Sequence, residues 1–264
     1  MTQSHHPMPD LMPLMKRLCL SGMNDTLAQR NKEAIDGHLS YVDFFGLLLQ
    51  DEILRREHSR FKQLIRRSGF RGEKTLENFD FSFNPNINQA LIKDLASCRF
   101  IAEKAPVLIV GPCGTGKTHL AQALGQCAIG KNQGVCLTTQ TLIKQDLLAA
   151  TAQGQYNKIF KRLTTLPLLI IDDFGLKPLR SPEDEYLHDI IAKRYEQHST
   201  IMTSNLDVSE WPDAFPNKLL GAATIDRLRH NAYVITLDGK SYRSVRSSQP
   251  ESSKIERKES LKME

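Results

Sequence analysis

Long apolar runs are missing from this sequence. No stretch approaches the ~20 residues needed to cross a bilayer, and Met1–Asp10 is polar and proline-containing without the apolar core of a secretory leader. A membrane span is therefore set aside and a cytoplasmic location is expected. Cysteine pairing is missing as well. Cys19, Cys98, Cys113, Cys127 and Cys136 are odd in number and scattered, with no Cys-x-x-Cys and no histidine cluster, which argues against disulfides and against zinc. No internal repeat is visible, so a solenoid drops out. Composition shows no extreme: 40% hydrophobic and 25% charged residues match a globular protein rather than a collagen-like or wholly disordered chain. The net charge of +5 is mild but concentrated, because Arg55–Lys74 carries eight basic residues against two acids. That local excess points to a polyanionic partner.

At 264 residues there is room for one large domain or two small ones. Up to about Thr75 the pattern is helical: Leu11–Leu20 and Asn24–Ala34 are short amphipathic pieces broken at Ser21-Gly22. Ser40-x-x-Asp43 then caps a long helix from Tyr41 to about Arg67. Its first half (Phe44, Phe45, Leu47, Leu48, Leu49) is expected to face a core and its second half is basic. Ser68–Phe83, with the aromatics Phe79, Phe81 and Phe83, reads as a linker docking onto the next domain. Asn84-Pro85 reads as a cap and first turn of a helix to about Ala102. Strands are expected at Val107–Val110, Val135–Thr139, Leu168–Ile171, Thr200–Thr203 and Tyr233–Leu237, alternating with helices as in βαβ units of a mainly parallel sheet. The division is 1–75 helical, 76–246 nucleotide-binding and 247–264 a disordered polar tail.

The strongest chemical signal is Gly111-Pro112-Cys113-Gly114-Thr115-Gly116-Lys117-Thr118, a complete G-x-x-x-x-G-K-[ST] between an apolar strand and a helical run. Glycines let the backbone curl until successive N–H groups face phosphate oxygens, and the next helix adds its positive end. Lys117 then reaches the β- and γ-phosphates and the Thr118 hydroxyl ligates Mg²⁺. Gly111–His119 is the candidate ATP-binding segment. Leu168–Ile171 delivers Asp172 and Asp173 at a strand's carboxyl end, where open α/β sheets bind ligands. Asp172 suits the Mg²⁺ shell. Asp173 suits polarising an attacking water, or else caps the turn into Phe174-Gly175. Thr203-Ser204-Asn205 sets a neutral, water-orienting amide beside those carboxylates if its strand lies between the first and third; such a pair also simply starts turns. Arg227, just before the last strand, is either a surface arginine or a group that completes a neighbouring subunit's active site.

In this order the elements resemble the AAA+ ATPases, and more closely the IstB-like helper ATPases of insertion-sequence transposition, with the bacterial replicative helicase loaders as near relatives. The resemblance covers nearly everything before the tail. It is carried by Leu18-x-x-Ser21-Gly22-Met23, Leu39-Ser40-Tyr41-x-x-Phe44-x-x-x-Leu48, Lys74–Phe81, the phosphate loop, Leu168–Gly175, Thr203–Leu206, Ile225–Leu228 and Gly239–Arg243. It implies an α/β P-loop AAA+ domain with a five-stranded parallel sheet, lacking the usual helical lid, behind a small all-helical domain. It also implies Lys117 and Thr118 as Walker A, Asp172 as the Walker B metal ligand, Asp173 at the catalytic-acid position, Asn205 as sensor 1 and Arg227 as the arginine finger, with ATP and Mg²⁺ bound. Most AAA+ proteins carry glutamate at the position of Asp173, so the shorter side chain suggests slow turnover.

The partners so implied are duplex DNA, a cognate transposase and further copies of the chain, with no membrane. Arg55, Arg56, Arg60, Lys62, Arg66 and Arg67 are the candidate DNA contacts, since basic groups along a helix can follow phosphates without reading bases. The reading is a slow, DNA-stimulated ATPase that assembles on duplex DNA in its ATP state and assists a transposase in target selection. A replicative helicase loader and a non-hydrolysing ATP-dependent adaptor remain the alternatives. A small-molecule kinase would need a lid and an acceptor pocket, for which no insertion is present.

Overall fold

The computed structural model describes residues 11–239 and 241–242. The described residues form two compact units, the first ending at Gln63 and the second starting at Leu64.

The first unit contains α1 (Met12–Arg17), α2 (Ser21–Asp36) and the start of α3 (Tyr41–Ser68). Cys19, in the left-handed region at φ +55°, makes the break after α1. Ser21-Gly22 does not break the helices as expected but forms the first turn of α2. The reason is tertiary. A Cβ on Gly22 would lie 2.7 Å from the Glu52 Cα, and the buried Glu52 carboxylate accepts the Gly22 N–H at 2.7 Å. A carboxylate thirty residues away thus caps α2. Burial opposes ionisation of Glu52, but hydrogen bonds from Arg56, Gly22 and Met23 outweigh it and hold its carboxyl below the usual range. Arg30 donates two bonds of 2.8 Å to Asp51, which depress that carboxyl to about 2. Ser40 caps α3 as expected, accepting the Asp43 N–H at 3.1 Å.

The core of this unit is Met15, Met23 and Leu48, with Leu11, Leu20, Leu27 and Phe44 packed around it. The expectation that the first half of α3 faces a core is only partly met. Val42, Phe45 and Leu49 are 80%, 54% and 42% exposed, because two short helices cannot cover the whole apolar arc of a third.

The second unit holds five parallel strands, β1 (Val107–Val110), β2 (Val135–Thr139), β3 (Leu168–Phe174), β4 (Ser199–Ser204) and β5 (Tyr233–Thr236), in the order β2-β3-β4-β1-β5. Strand side chains alternate between faces. Val107, Ile109, Leu168, Ile170 and Ile201 join one cluster with α4 (Gln89–Ala96), α5 (Arg99–Ala102) and α6 (Lys117–Gly130). Leu108, Val110, Leu169, Ile171 and Met202 join the other with α7 (Gln140–Ala152), α8 (Tyr156–Thr165), α9 (Glu183–Arg194) and α10 (Lys218–Arg229). Both faces are covered, as all-parallel sheets require.

One further expectation needs correction. The single helix from Asn84 to Ala102 is in fact α4 and α5, separated by Cys98 at φ +61°. Its cap is Asn88, whose side chain accepts the Leu91 N–H at 3.0 Å; the Asn84 side chain is engaged elsewhere. Leu64, Ile65, Phe70 and Leu76 pack on the core of the second unit. Arg243 and the tail at 247–264 lie outside the described residues. No helix among the described residues is long and apolar enough to cross a membrane.

Candidate nucleotide site

The loop Gly111–Gly116 joins the carboxyl end of β1 to α6. Its glycines answer steric demands that other residues cannot meet. Gly111 has φ +141°, and a Cβ there would come within 2.1 Å of the Leu237 carbonyl oxygen; at Gly114, φ +83°, it would meet the Ser241 Oγ at 2.1 Å. The strand, the left-handed turns and the helix start predicted for a phosphate loop are all present. Lys117 is buried and its Nζ donates to the Gly111 and Pro112 carbonyls, each at 2.7 Å. The cation is thereby held against the loop. Thr115 Oγ1 bonds the Pro112 carbonyl at 2.9 Å. His119 sits in the first turn of α6 with Nε2 2.8 Å from the Thr75 carbonyl oxygen and its ring edge-on to Phe79.

At the carboxyl end of β3 the alternation that sends Leu168 and Ile170 toward α6 also sends Asp172 there. Thr118 Oγ1 donates to Asp172 Oδ1 at 3.0 Å, and Thr203 Oγ1 from β4 donates to the same oxygen. The Thr203 hydroxyl in turn accepts the Asp173 N–H at 3.0 Å. Asp173 is exposed, at φ +57°, within a register shift of the β3–β4 pairing. A non-glycine residue held there carries backbone strain of the kind found at functional sites. Asn205 follows the end of β4 and is exposed; β4 does lie between β1 and β3, so the sheet order brings it to the same edge as the carboxylates.

Arg227 lies at the other edge. Its Nη1 donates to the Ala223 carbonyl at 3.0 Å, and it lines a cleft of about 220 Å³ with Lys104, Tyr195, His198 and His230. These residues precede β1, β4 and β5, so the length of β1, roughly 13 Å, separates the cleft from the phosphate loop. Of the six basic candidates on α3, Arg55 pairs with Asp25 and Arg56 with Glu52 at 2.6 Å. Arg60, Lys62, Arg66 and Arg67 are exposed and have no ion pair among the described residues.

Several residues at this edge escaped sequence reasoning. The Thr203 hydroxyl, rather than a group on Asn205, touches Asp172. Gln140 bridges the turn after β3, accepting the Gly175 N–H at 3.1 Å and donating to the Lys177 carbonyl at 3.0 Å. Asn84 donates from Nδ2 to the Thr115 carbonyl at 3.0 Å. Thr203 was available from its motif; Asn84 and Gln140 have no local signal, because their partners lie 31 and 37 residues away.

The sheet order and the glycine-framed loop define a P-loop nucleotide-binding protein of AAA+ architecture. Residues 13–250 match the family described as IstB-like ATP binding protein, and the chain belongs to that family. It is similar to an insertion-sequence protein of Mycobacterium tuberculosis named for ATP binding, at 33% identity over 89% of this chain and 94% of that protein. It is also similar to the IS21 protein of Pseudomonas aeruginosa, again named for ATP binding, at 30% identity over 89% of each. Among solved structures it shares its fold with AMPPCP-bound DnaA from Aquifex aeolicus, with TM-score 0.55, 21% identity and coverage of 64% of this chain and about half, 51%, of that one. The DnaC helicase loader is similar at TM-score 0.50 and 25% identity, over 57% of this chain and 89% of that chain.

Proposed function

We propose that this protein is a Mg²⁺-dependent ATPase that assembles on duplex DNA and assists the transposase of an insertion sequence, acting in the cytoplasm. The observation that carries the proposal is the junction of the phosphate loop with Asp172 through Thr118 at 3.0 Å, in a chain whose relatives are insertion-sequence proteins. A hydroxyl and a carboxylate oxygen so placed are hard donors that fit Mg²⁺, completed by phosphate oxygens and water. The ion, when bound, neutralises charge on the phosphoryl group being transferred. In this scheme Lys117 turns from the loop carbonyls to the β- and γ-phosphates, Asp173 takes the proton of the attacking water, and Asn205 orients that water. Arg227, on the opposite edge of its own sheet, serves the site of a neighbouring copy. Helix α3 contacts DNA and partner through Arg60, Lys62, Arg66 and Arg67; Arg55 and Arg56 contribute less because each already has an acid.

Phosphate release measured with and without duplex DNA tests the chemistry. Asp173→Asn is expected to keep ATP binding and stop turnover; undiminished release would remove Asp173 from the mechanism. Binding of ATP without any release by the wild type would favour an adaptor switch. Capture by a replicative helicase and not by an insertion-sequence transposase would transfer the protein to the loaders.

A further inference from the structure

Two segments brace the phosphate loop from outside. One is Phe79–Asn84, ahead of α4; the other follows β5 as far as Tyr242. The Tyr242 N–H donates to the Gly114 carbonyl at 3.0 Å, and the Tyr242 ring meets Phe83 edge-on at 5.1 Å. Between them lies Asn84, 2% exposed. Its Nδ2 donates to the Thr115 carbonyl, and since that carbonyl can only accept, the orientation of the amide is settled: NH₂ toward the loop, Oδ1 away from it. Oδ1 is then a buried acceptor without a partner, one of three such side-chain atoms among the described residues and the one beside the phosphate loop. Buried polar groups are nearly always paired, so an acceptor left over at a binding site invites a donor from outside the chain. Residue 239 is glycine, and a Cβ there would stand 3.1 Å from this oxygen. A side chain there would crowd the oxygen.

We propose that Asn84 Oδ1 accepts a hydrogen bond from the exocyclic amine of adenine, which makes Asn84 the base-discriminating residue of the site. The inference rests on the site binding ATP. Phosphates seated on Gly111–Thr118 put the base of the same nucleotide within reach of a residue bonded to Thr115. Adenine offers an N–H donor at its 6-position, whereas guanine offers a keto oxygen that would face Oδ1 as acceptor against acceptor. Gly239 packs over Oδ1, and the base reaches the oxygen by displacing that glycine.

The test is equilibrium binding of the full chain to ATP and to purine riboside triphosphate, which lacks only the amine. Wild type is expected to prefer ATP by about tenfold. Asn84→Ala should lower ATP affinity to the level of purine riboside triphosphate and leave the latter within about twofold of its wild-type value. Gly239→Ala, which keeps the Asn84–Thr115 bond, should also reduce the preference and carries the test if Asn84→Ala does not fold. Equal weakening toward both nucleotides by these variants would reduce Asn84 to a prop for the loop and overturn the inference. So would a wild type that binds the two alike, which leaves the ATP reading intact; failure to bind any nucleotide would end both.

Discussion

In the second unit two extended apolar clusters enclose the sheet, while in the first unit Met15, Met23 and Leu48 form the buried apolar cluster among the described residues. The first unit makes up the difference with carboxylates: Glu52 on the amino end of α2 and Asp51 on Arg30. A thick core can carry features that cost stability, such as the left-handed Asp173 and the buried Arg194. The thin one, which also holds the left-handed Cys19, leaves apolar groups and cations outside. The contrast matches the division of labour proposed, with the thick-cored unit holding nucleotide geometry and α3 meeting partners.

The largest expected effect tests whether the second unit is self-sufficient. Arg227→Ala should bind ATP almost normally yet lose on the order of 10³ in hydrolysis, the scale of an arginine supplied in trans. Mixing it with Lys117→Ala should restore activity at mixed interfaces. No recovery despite co-assembly would point to Arg229 or Arg243. Next, Arg194→Met probes the core itself. Arg194 donates to the Leu163 and Leu166 carbonyls at 2.8 and 2.9 Å and to Thr200 Oγ1 at 3.0 Å, so its loss leaves buried acceptors unpaired. About 3 kcal/mol of stability should go, read as a lower denaturation midpoint.

Along α3, reversing Arg60 and Lys62 of the thin unit together with Arg66 and Arg67 of the second to glutamate should abolish measurable DNA binding and leave ATP affinity unchanged. Wild-type log K should fall with log salt by ~0.9 per phosphate neutralised; salt-independent affinity would move the contact elsewhere. Gly22→Val should destabilise the thin unit by about 1–3 kcal/mol through overpacking against α3, visible as faster amide exchange in α2. The smallest effect is acidic. Asp51 titrates near 2 when folded against an ordinary 3.8, so its contribution is full above about pH 4 and fades as pH falls toward 2. About 1 kcal/mol or less is at stake for such a pair. Amide exchange in α2 should quicken over that window in wild type and not in Asp51→Asn.

Much of the nucleotide site was legible from adjacent residues. The loop Gly111–Thr118 and the pair Asp172-Asp173 are local patterns whose strand and helix context can be read beside them. What lay beyond reading was set by contact at a distance. Asn84 looks like a helix cap beside Pro85, yet its carboxamide serves Thr115. Ser21-Gly22 looks like a break, yet Glu52 turns it into a helix start. The apolar half of α3 looks like a core strip, yet too few helices are present to bury it.

By itself, then, the order of residues marked the five strands, most of the helices and the glycine-rich loop between β1 and α6, because hydrophobic period and glycine spacing act over a few neighbouring residues. Only the tertiary structure decided which groups meet across the sheet: Thr203 on Asp172, Asn84 on the loop, Arg227 on the far edge. Those meetings depend on strand order, and β4 inserts between β1 and β3 through packing between segments far apart in sequence, which no short window contains.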